Sequence, residues 1–213
     1  MSAADEFQPV PNKAAHRLAM GLDPDWKIIG TVMRNQRRKL FPDLLQAFAK
    51  YLSFTGDKDT YLYCHTSYPD NGWDIPQLMM KYGISSRVLF TYSCEECGSL
   101  TIGKFSDTVK LCRSCKKYAA KPCSVSSGAT TEELAKIFNL FDLYIQCANS
   151  EGMGISQMEA AACAVPIMST DYSAMESIVR KLDGYPIPVK TKVLELETGC
   201  YRAIPDIDEI VSY

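Results

Sequence analysis

Ser150-Glu-Gly-Met-Gly-Ile-Ser-Gln-Met-Glu159-Ala-Ala-Ala-Cys-Ala-Val-Pro-Ile-Met-Ser-Thr-Asp171 is the stretch whose reading decides the fold. Just upstream, Asp142-Leu-Tyr-Ile-Gln-Cys147 predicts a short buried strand. Gly152 and Gly154 then permit a tight turn and close approach of the backbone. Ile155 to Cys163 predicts a helix, and Val165-Pro-Ile-Met168 the next strand. In a strand, turn, helix, strand unit of this kind, the loop at the strand's C-terminal end meets the ligand. The unpaired N–H groups of the helix start favour an anion such as a phosphate. Two acids flank that position, Glu151 before the turn and Glu159 in the first turns of the helix. An acid beside an anion site repels phosphate, so these two are read as acceptors for hydroxyl groups. A sugar nucleotide carries both phosphates and hydroxyls. Ser156-Gln-Met-Glu159 also fits a capping box, in which Glu159 reaches back to the helix start.

The rest of the chain alternates in the same way. Lys13 to Leu22 predicts a helix stopped at Gly21, and Trp26 to Met33 a strand buried on both faces. Phe41, Leu44, Leu45, Phe48 and Leu52 recur at helical spacing, so Pro42 to Phe54 predicts an amphipathic helix. Strands follow at Thr60 to His65 and Arg87 to Tyr92, with a helix at Asp74 to Tyr82 between them. Thr130-Thr-Glu-Glu133 begins a helix running to about Phe141, and Met175 to Leu182 predicts another. Pro186, Pro188 and Pro205 make the tail's strands edge-like or short, and a last helix is expected from Asp206 to Tyr213. Alternating strands and helices give an α/β fold with a doubly wound parallel sheet. Right-handed crossovers put the ligand-facing loops on one edge of that sheet. The basic loop Arg34-Asn-Gln-Arg-Arg-Lys39 leaves the first strand on that edge. It reads either as a solvated charged loop or as cations for a diphosphate.

These stretches resemble the retaining glycosyltransferases of the GT-B fold, in the large group often called family 4. Glu151 to Glu159 matches that family's Glu-x7-Glu segment, and Arg34 and Lys39 keep its Arg and Lys five positions apart. The resemblance implies a Rossmann-like C-terminal half that binds a nucleoside-diphosphate sugar as donor. It implies that Arg34 and Lys39 hold the diphosphate and that Gly152, Met153, Gly154 and Ile155 give it backbone amides. Glu159 is then matched to the ribose and Glu151 to the donor sugar, and Arg34, Lys39 and Glu151 form the implied catalytic set. Two departures are Ala164, where the family has Gly, and the residues Met33 and Leu40 around the basic loop. The chain opens at what resembles the inter-domain linker. The acceptor-binding N-terminal domain is therefore expected elsewhere, on a companion chain or in a longer parent.

Nine cysteines in the chain, an odd number, argue against a disulfide framework. Cys64, Cys147 and Cys163 sit in apolar patterns and are read as core residues. Cys94-Glu-Glu-Cys97 and Cys112-Arg-Ser-Cys115 are two Cys-x-x-Cys knuckles with fourteen residues between them. Four thiolates so spaced suit a tetrahedral structural zinc, with Cys123 left as a spare thiol. Residues 93–125 are thus expected to be a zinc-ribbon insert in a nucleotide-sugar-binding domain made of 1–92 and 126–213.

Composition narrows the class. The 213 residues are 46% hydrophobic and 23% charged, with a net charge of −2, as in an ordinary soluble globular protein. That balance favours neither nucleic acid nor membrane, and no apolar run approaches a membrane span. The N-terminus lacks the basic and apolar regions of a signal peptide, so a cytoplasmic location is expected. The insert carries six Lys or Arg against three Asp or Glu, so a zinc-ribbon nucleic-acid or protein module is an alternative. Few aromatics are present there for base stacking, and four thiolates on zinc offset most of its positive charge. A non-catalytic nucleotide-sugar-binding domain is a further alternative.

Overall fold

The apolar run around Ile28 and Ile29 forms β1 (Lys27–Val32), from which the parallel strands count outward in both directions. The structure is a computed structural model that describes residues 5–106 and 108–212. Tyr213 and residues 1–4, where a last helix end and the missing signal features were read, lie outside the described residues. β2 (Thr60–His65) pairs with one edge of β1 in register from Lys27 opposite Thr60 to Val32 opposite His65. β3 (Val88–Cys94) lies beyond it. The chain then returns to the other edge of β1 with β7 (Leu143–Gln146), followed outward by β8 (Ile167–Thr170) and β9 (Tyr185–Ile187). The parallel order β3-β2-β1-β7-β8-β9 is the Rossmann-like doubly wound arrangement expected from the alternation. Its direction reverses between β1 and β7, and the loops leaving these two strands diverge to open a crevice.

Each face of the sheet is covered by helices whose apolar stripes the sequence supplies. α2 (Phe41–Thr55) buries Phe41, Leu44, Leu45 and Phe48 on one face and ends at Gly56, which takes a left-handed φ of 66°. Each such fully buried side chain contributes on the order of 2 kcal/mol. α3 (Ile75–Lys81) joins it through Ile75 and Met79, and the short α7 (Ile207–Ile210) through Ile210. On the other face lie α4 (Thr131–Phe138), α5 (Ile155–Ala162) and α6 (Ala174–Lys181), with Phe138, Ala160 and Val179 buried against Ile28, Tyr63 and Tyr144. Thr130 and Glu133 form a complete capping box at the start of α4. Arg17 in α1 (Lys13–Ala19) is buried and ties the N-terminal helix to the Leu140 carbonyl and to Asp142. Cys64, Cys147 and Cys163 are buried core residues.

Three stretches depart from expectation. The strand after α5 starts at Ile167, two residues late, because Cys163 to Val165 close the helix. Ala164 takes a left-handed φ of 55°, and the Val165 N–H bonds back to the Ala160 carbonyl at 3.0 Å. The missing glycine thus leaves the turn intact, at a cost of about 1 kcal/mol. The tail is also more regular than its prolines suggest. β10 (Val189–Glu195) and β11 (Cys200–Pro205) form a separate antiparallel hairpin that turns at Gly199, whose φ is 64°. Pro186 does lie in an edge strand, β9. Finally, β3 runs on to Cys94. β4 (Leu100–Lys104), β5 (Lys110–Leu111) and β6 (Tyr118–Pro122) extend the same sheet by antiparallel pairing.

Candidate functional site

The loop after β1 carries Arg34 to Lys39, and the loop after β7 carries Ser150 to Gly154. The two loops are tied across the switch point, since the Asn149 N–H donates to the Arg38 carbonyl at 2.9 Å. The Lys39 ammonium forms a direct ion pair with Glu151 Oε1, and both side chains are 11% exposed. Arg38 Nε lies 3.7 Å from the same carboxylate oxygen. Burial lowers the Lys39 pKa, and the hydrogen bond and charge of Glu151 pull it back up. Behind Glu151, its backbone N–H donates to Ser173 Oγ at 2.9 Å. Ser173 holds a φ of 56°, a left-handed conformation that costs a non-glycine residue about 1–3 kcal/mol.

Arg34 has a different partner. Its Nε and Nη2 form a fork on Asp70, at 2.8 and 3.1 Å, and Nη1 takes no partner among the described residues. The Arg34 hydrogen bond holds the Asp70 carboxyl well below the usual carboxylate range. Asp70 follows Pro69 in the turn after β2, on the same loop edge. That turn signal was visible in the sequence, but its pairing with Arg34 was not.

α5 starts at Gly154, which takes φ 67° and ψ 44°, and no side chain caps it. The capping-box reading of Ser156 and Glu159 is therefore excluded. Ser156 lies inside the first turn; the Gln157 N–H bonds to the Gly154 carbonyl at 3.1 Å, and the Ile155 and Ser156 N–H groups ahead of it have no intrahelical acceptor. The Glu159 carboxyl is raised above its ordinary pKa by burial. The Tyr144 phenol beneath the crevice is pushed up by burial first and then by the charges of Glu151 and Glu159.

Two adjoining clefts result. One, of about 530 Å³, is lined by Arg34, Lys39, His65, Ser67, Cys123 and Ser156, among others. The other, of about 540 Å³, is lined by Glu151, Gly152, Tyr172, Ser173, Tyr201 and Arg202. Arg38 lines both. Arg202 reaches the second cleft from β11, bonded to Ser150 Oγ and, at 2.6 Å, to Glu195. Nothing local in the sequence marks Arg202 or Tyr201 as site residues, because a hairpin far along the chain delivers them.

His65 walls the first cleft with Nδ1 2.9 Å from Thr91 Oγ1, which the Tyr63 hydroxyl also contacts at 2.8 Å. Burial lowers the His65 pKa from 6.5 to about 4. As pH falls through 6.5, the unfolded imidazole takes a proton that the folded one refuses, so stability is lost on the acid side. By pH 4 the loss from this group is expected to reach about 3 kcal/mol. Urea titrations of wild type and His65→Gln at pH 7 and pH 4 measure it. Equal acid losses in the two proteins would show that His65 is not responsible.

The four knuckle cysteines converge. The sulfurs of Cys94, Cys97, Cys112 and Cys115 lie within 4.8 Å of one another, with Cys94–Cys115 and Cys97–Cys112 at 3.6 Å. A tetrahedral ion with metal–sulfur bonds near ~2.3 Å spaces its ligands at about 3.8 Å, so the set fits. The two knuckles share one backbone design. Gly98 N–H donates to the Cys94 carbonyl and Lys116 N–H to the Cys112 carbonyl, and both residues have positive φ, 74° and 60°. The Cys97 thiol is lowered to about 6 by hydrogen bonds from the Ser99 hydroxyl and N–H. Cys123 is not in the cluster. It is buried at the first cleft, where burial raises its thiol to about 12.

Comparison with known proteins agrees with this fold. Residues 100–198 match the family model described as glycosyl transferases group 1, a stretch that includes Glu151 to Glu159 but not Arg34 or Lys39. The C-terminal domain of LpcC, a glycosyl transferase group 1 family protein from Francisella tularensis, superposes with a TM-score of 0.57 at 15% identity. That match covers 90% of this chain and 81% of that domain. This chain has the fold of a GT-B glycosyltransferase C-terminal domain. WaaG, a glycosyltransferase involved in lipopolysaccharide biosynthesis, matches at TM-score 0.64 and 15% identity over 99% of the GT-B domain and 44% of WaaG. Anabaena HepE, solved in complex with UDP-glucose, matches at TM-score 0.55 and 13% identity, over 83% of this domain and 38% of HepE. The domain thus spans less than half the length of these two proteins. A search of curated proteins found no match to the sequence. Among the described residues, no helix is long and apolar enough to cross a membrane.

Proposed function

We propose that this domain binds a nucleoside-diphosphate sugar and presents it for retaining glycosyl transfer. The observation that carries the reading is the Lys39–Glu151 ion pair, which spans the switch point beside the uncapped start of α5. Without a ligand, each group satisfies the other's charge. A donor offers both a better partner. Its diphosphate takes Lys39, Arg38, Arg34 and the amides of Gly152 to Ile155, and a sugar hydroxyl takes Glu151. Glu159 accepts from the ribose. As the bond between the anomeric carbon and the phosphate oxygen breaks, negative charge grows on the leaving diphosphate. The cations and amides stabilise that charge more in the transition state than before it. The acceptor hydroxyl bonds to the anomeric carbon, and the departing phosphate takes its proton. A companion domain that holds the acceptor, a hexosyl donor and a cytoplasmic location belong to the same proposal.

A structural zinc fills the four-thiolate site in this reading. The insert's positive charge is largely engaged within the protein. Lys117 and Lys121 pair with Glu96 and Glu95 at 2.8 Å, Lys110 lies 4.4 Å from the Tyr92 ring centre, and Arg113 donates to the Gly21 carbonyl. This favours a structural role for the insert over nucleic-acid binding.

Isothermal titration with UDP, UDP-glucose and other nucleoside-diphosphate sugars tests donor binding. Expected is one site, weakened about tenfold or more by Arg38→Ala, which removes charge-assisted phosphate contacts. The reading is wrong if no nucleoside diphosphate binds at millimolar concentration, or if binding ignores Arg38.

A further inference from the structure

We infer that the four-cysteine metal site is the clamp that sets one wall of the donor cleft, so that metal loading controls donor affinity. This rests on the donor-binding reading above. The insert has almost no core of its own. Its separate buried cluster consists of Cys94, Cys112 and Ala119, with Cys115 packed against them. Ile102 and Ala120 of the insert join the main core, but only this small cluster packs between the two knuckles, so the metal supplies the cohesion there.

A short, continuous ladder leads from the metal to the cleft. Cys94, Ser93 and Tyr92 of β3 pair with Ala120, Lys121 and Pro122 of β6. The start of β6 is bound to both knuckles, since Glu95 N–H donates to the Ala119 carbonyl and Cys112 N–H to the Lys117 carbonyl. At its other end, Cys123 N–H donates to the Thr91 carbonyl at 3.1 Å, and the Cys123 carbonyl accepts from Tyr68 N–H at 3.0 Å. Thr91 is also the residue that positions His65. Directly beyond, Ser124, Val125 and Gly128 line the first cleft together with Arg34, Lys39 and Ser156. The 123–128 segment follows β6 directly and belongs to no strand or helix. The bridge between Ser124 and Ser127 closes it only on itself. Loss of the metal therefore loosens β6 at its knuckle end, and with it the 123–128 wall of the cleft.

The experiment compares protein loaded with one Zn²⁺, protein stripped by a chelator, stripped protein reloaded with Zn²⁺ or Co²⁺, and Cys97→Ser. Metal content is measured by elemental analysis, and amide hydrogen exchange is followed by mass spectrometry. UDP affinity is measured by calorimetry. Expected are one metal per chain and exchange about a hundredfold faster in 118–123 and at Tyr68 without metal. Exchange of β1 and β7 should stay unchanged, which shows that the core remains folded. UDP binding should weaken about tenfold and recover on reloading. The inference is overturned by a loaded protein with no bound metal, by unchanged exchange in 118–123, or by UDP affinity indifferent to metal. If UDP binds neither form, the donor reading fails, and the exchange data alone decide whether the metal governs the cleft wall.

Discussion

Lys39→Met is expected to destabilise the domain by about 3 kcal/mol and to remove measurable donor binding. Lys39 and Glu151 each keep only 11% of their side chain exposed, so the methionine leaves a carboxylate in a nearly closed site with its main partner gone. Arg38, 3.7 Å away and 45% exposed, compensates for only part of that charge. The double variant Lys39→Met/Glu151→Leu removes both charges. It should recover most of the stability, because a buried pair replaced by apolar groups of similar volume is often neutral. It should recover none of the binding, because the diphosphate has lost its central cation. Urea titration and calorimetry on the wild type, both single variants and the double variant give the coupling energy. A single variant as stable as the wild type, or a double variant that binds donor, would break the link between this pair and the donor.

Gly30→Val should destabilise by about 3 kcal/mol or prevent folding, at the upper end of overpacking costs. Gly30 lies in β1, beneath the crevice. A Cβ there would sit 2.2 Å from the Phe141 ring, which belongs to the segment leading into β7. Phe141 is itself fully buried against Tyr63 and Phe138, with ring centres 5.4 and 5.9 Å away, so it has no room to move. Gly30→Val/Phe141→Leu should regain part of the loss by making space. Thermal melts of the three proteins measure this. A melting temperature unchanged in Gly30→Val would mean that Phe141 is free to move at the β1–β7 junction.

Most of the frame was legible because it depends on local pattern. β2 ran from Thr60 to His65 as read, and α2 and α5 fell within one or two residues of their spacing. The Cys-x-x-Cys spacing brought the right four sulfurs together, because a knuckle is a local turn that carries its own geometry. The capping box at Ser156 was a local pattern that the fold did not use. The left-handed turn at Gly154 starts the helix two residues earlier. Within the site, the five-residue spacing of Arg34 and Lys39 placed both on one cleft but did not show their partners. Asp70 takes one and Glu151 the other. Those pairings join chain positions far apart, and nothing in a linear spacing encodes them.

By itself, the sequence determined the alternation of elements, the parallel sheet, the four thiolates and the positions of two acids flanking a glycine turn. These follow from periodicities of two and 3.6 residues, and from turns that particular residues alone can make. Only the tertiary structure decided that Lys39 closes on Glu151, that Arg202 arrives from a distant hairpin, and that the segment after β6 becomes a cleft wall. The strand order determines these contacts. The reversal between β1 and β7 brings separate stretches of chain to one edge, and there burial and charge choose the partners.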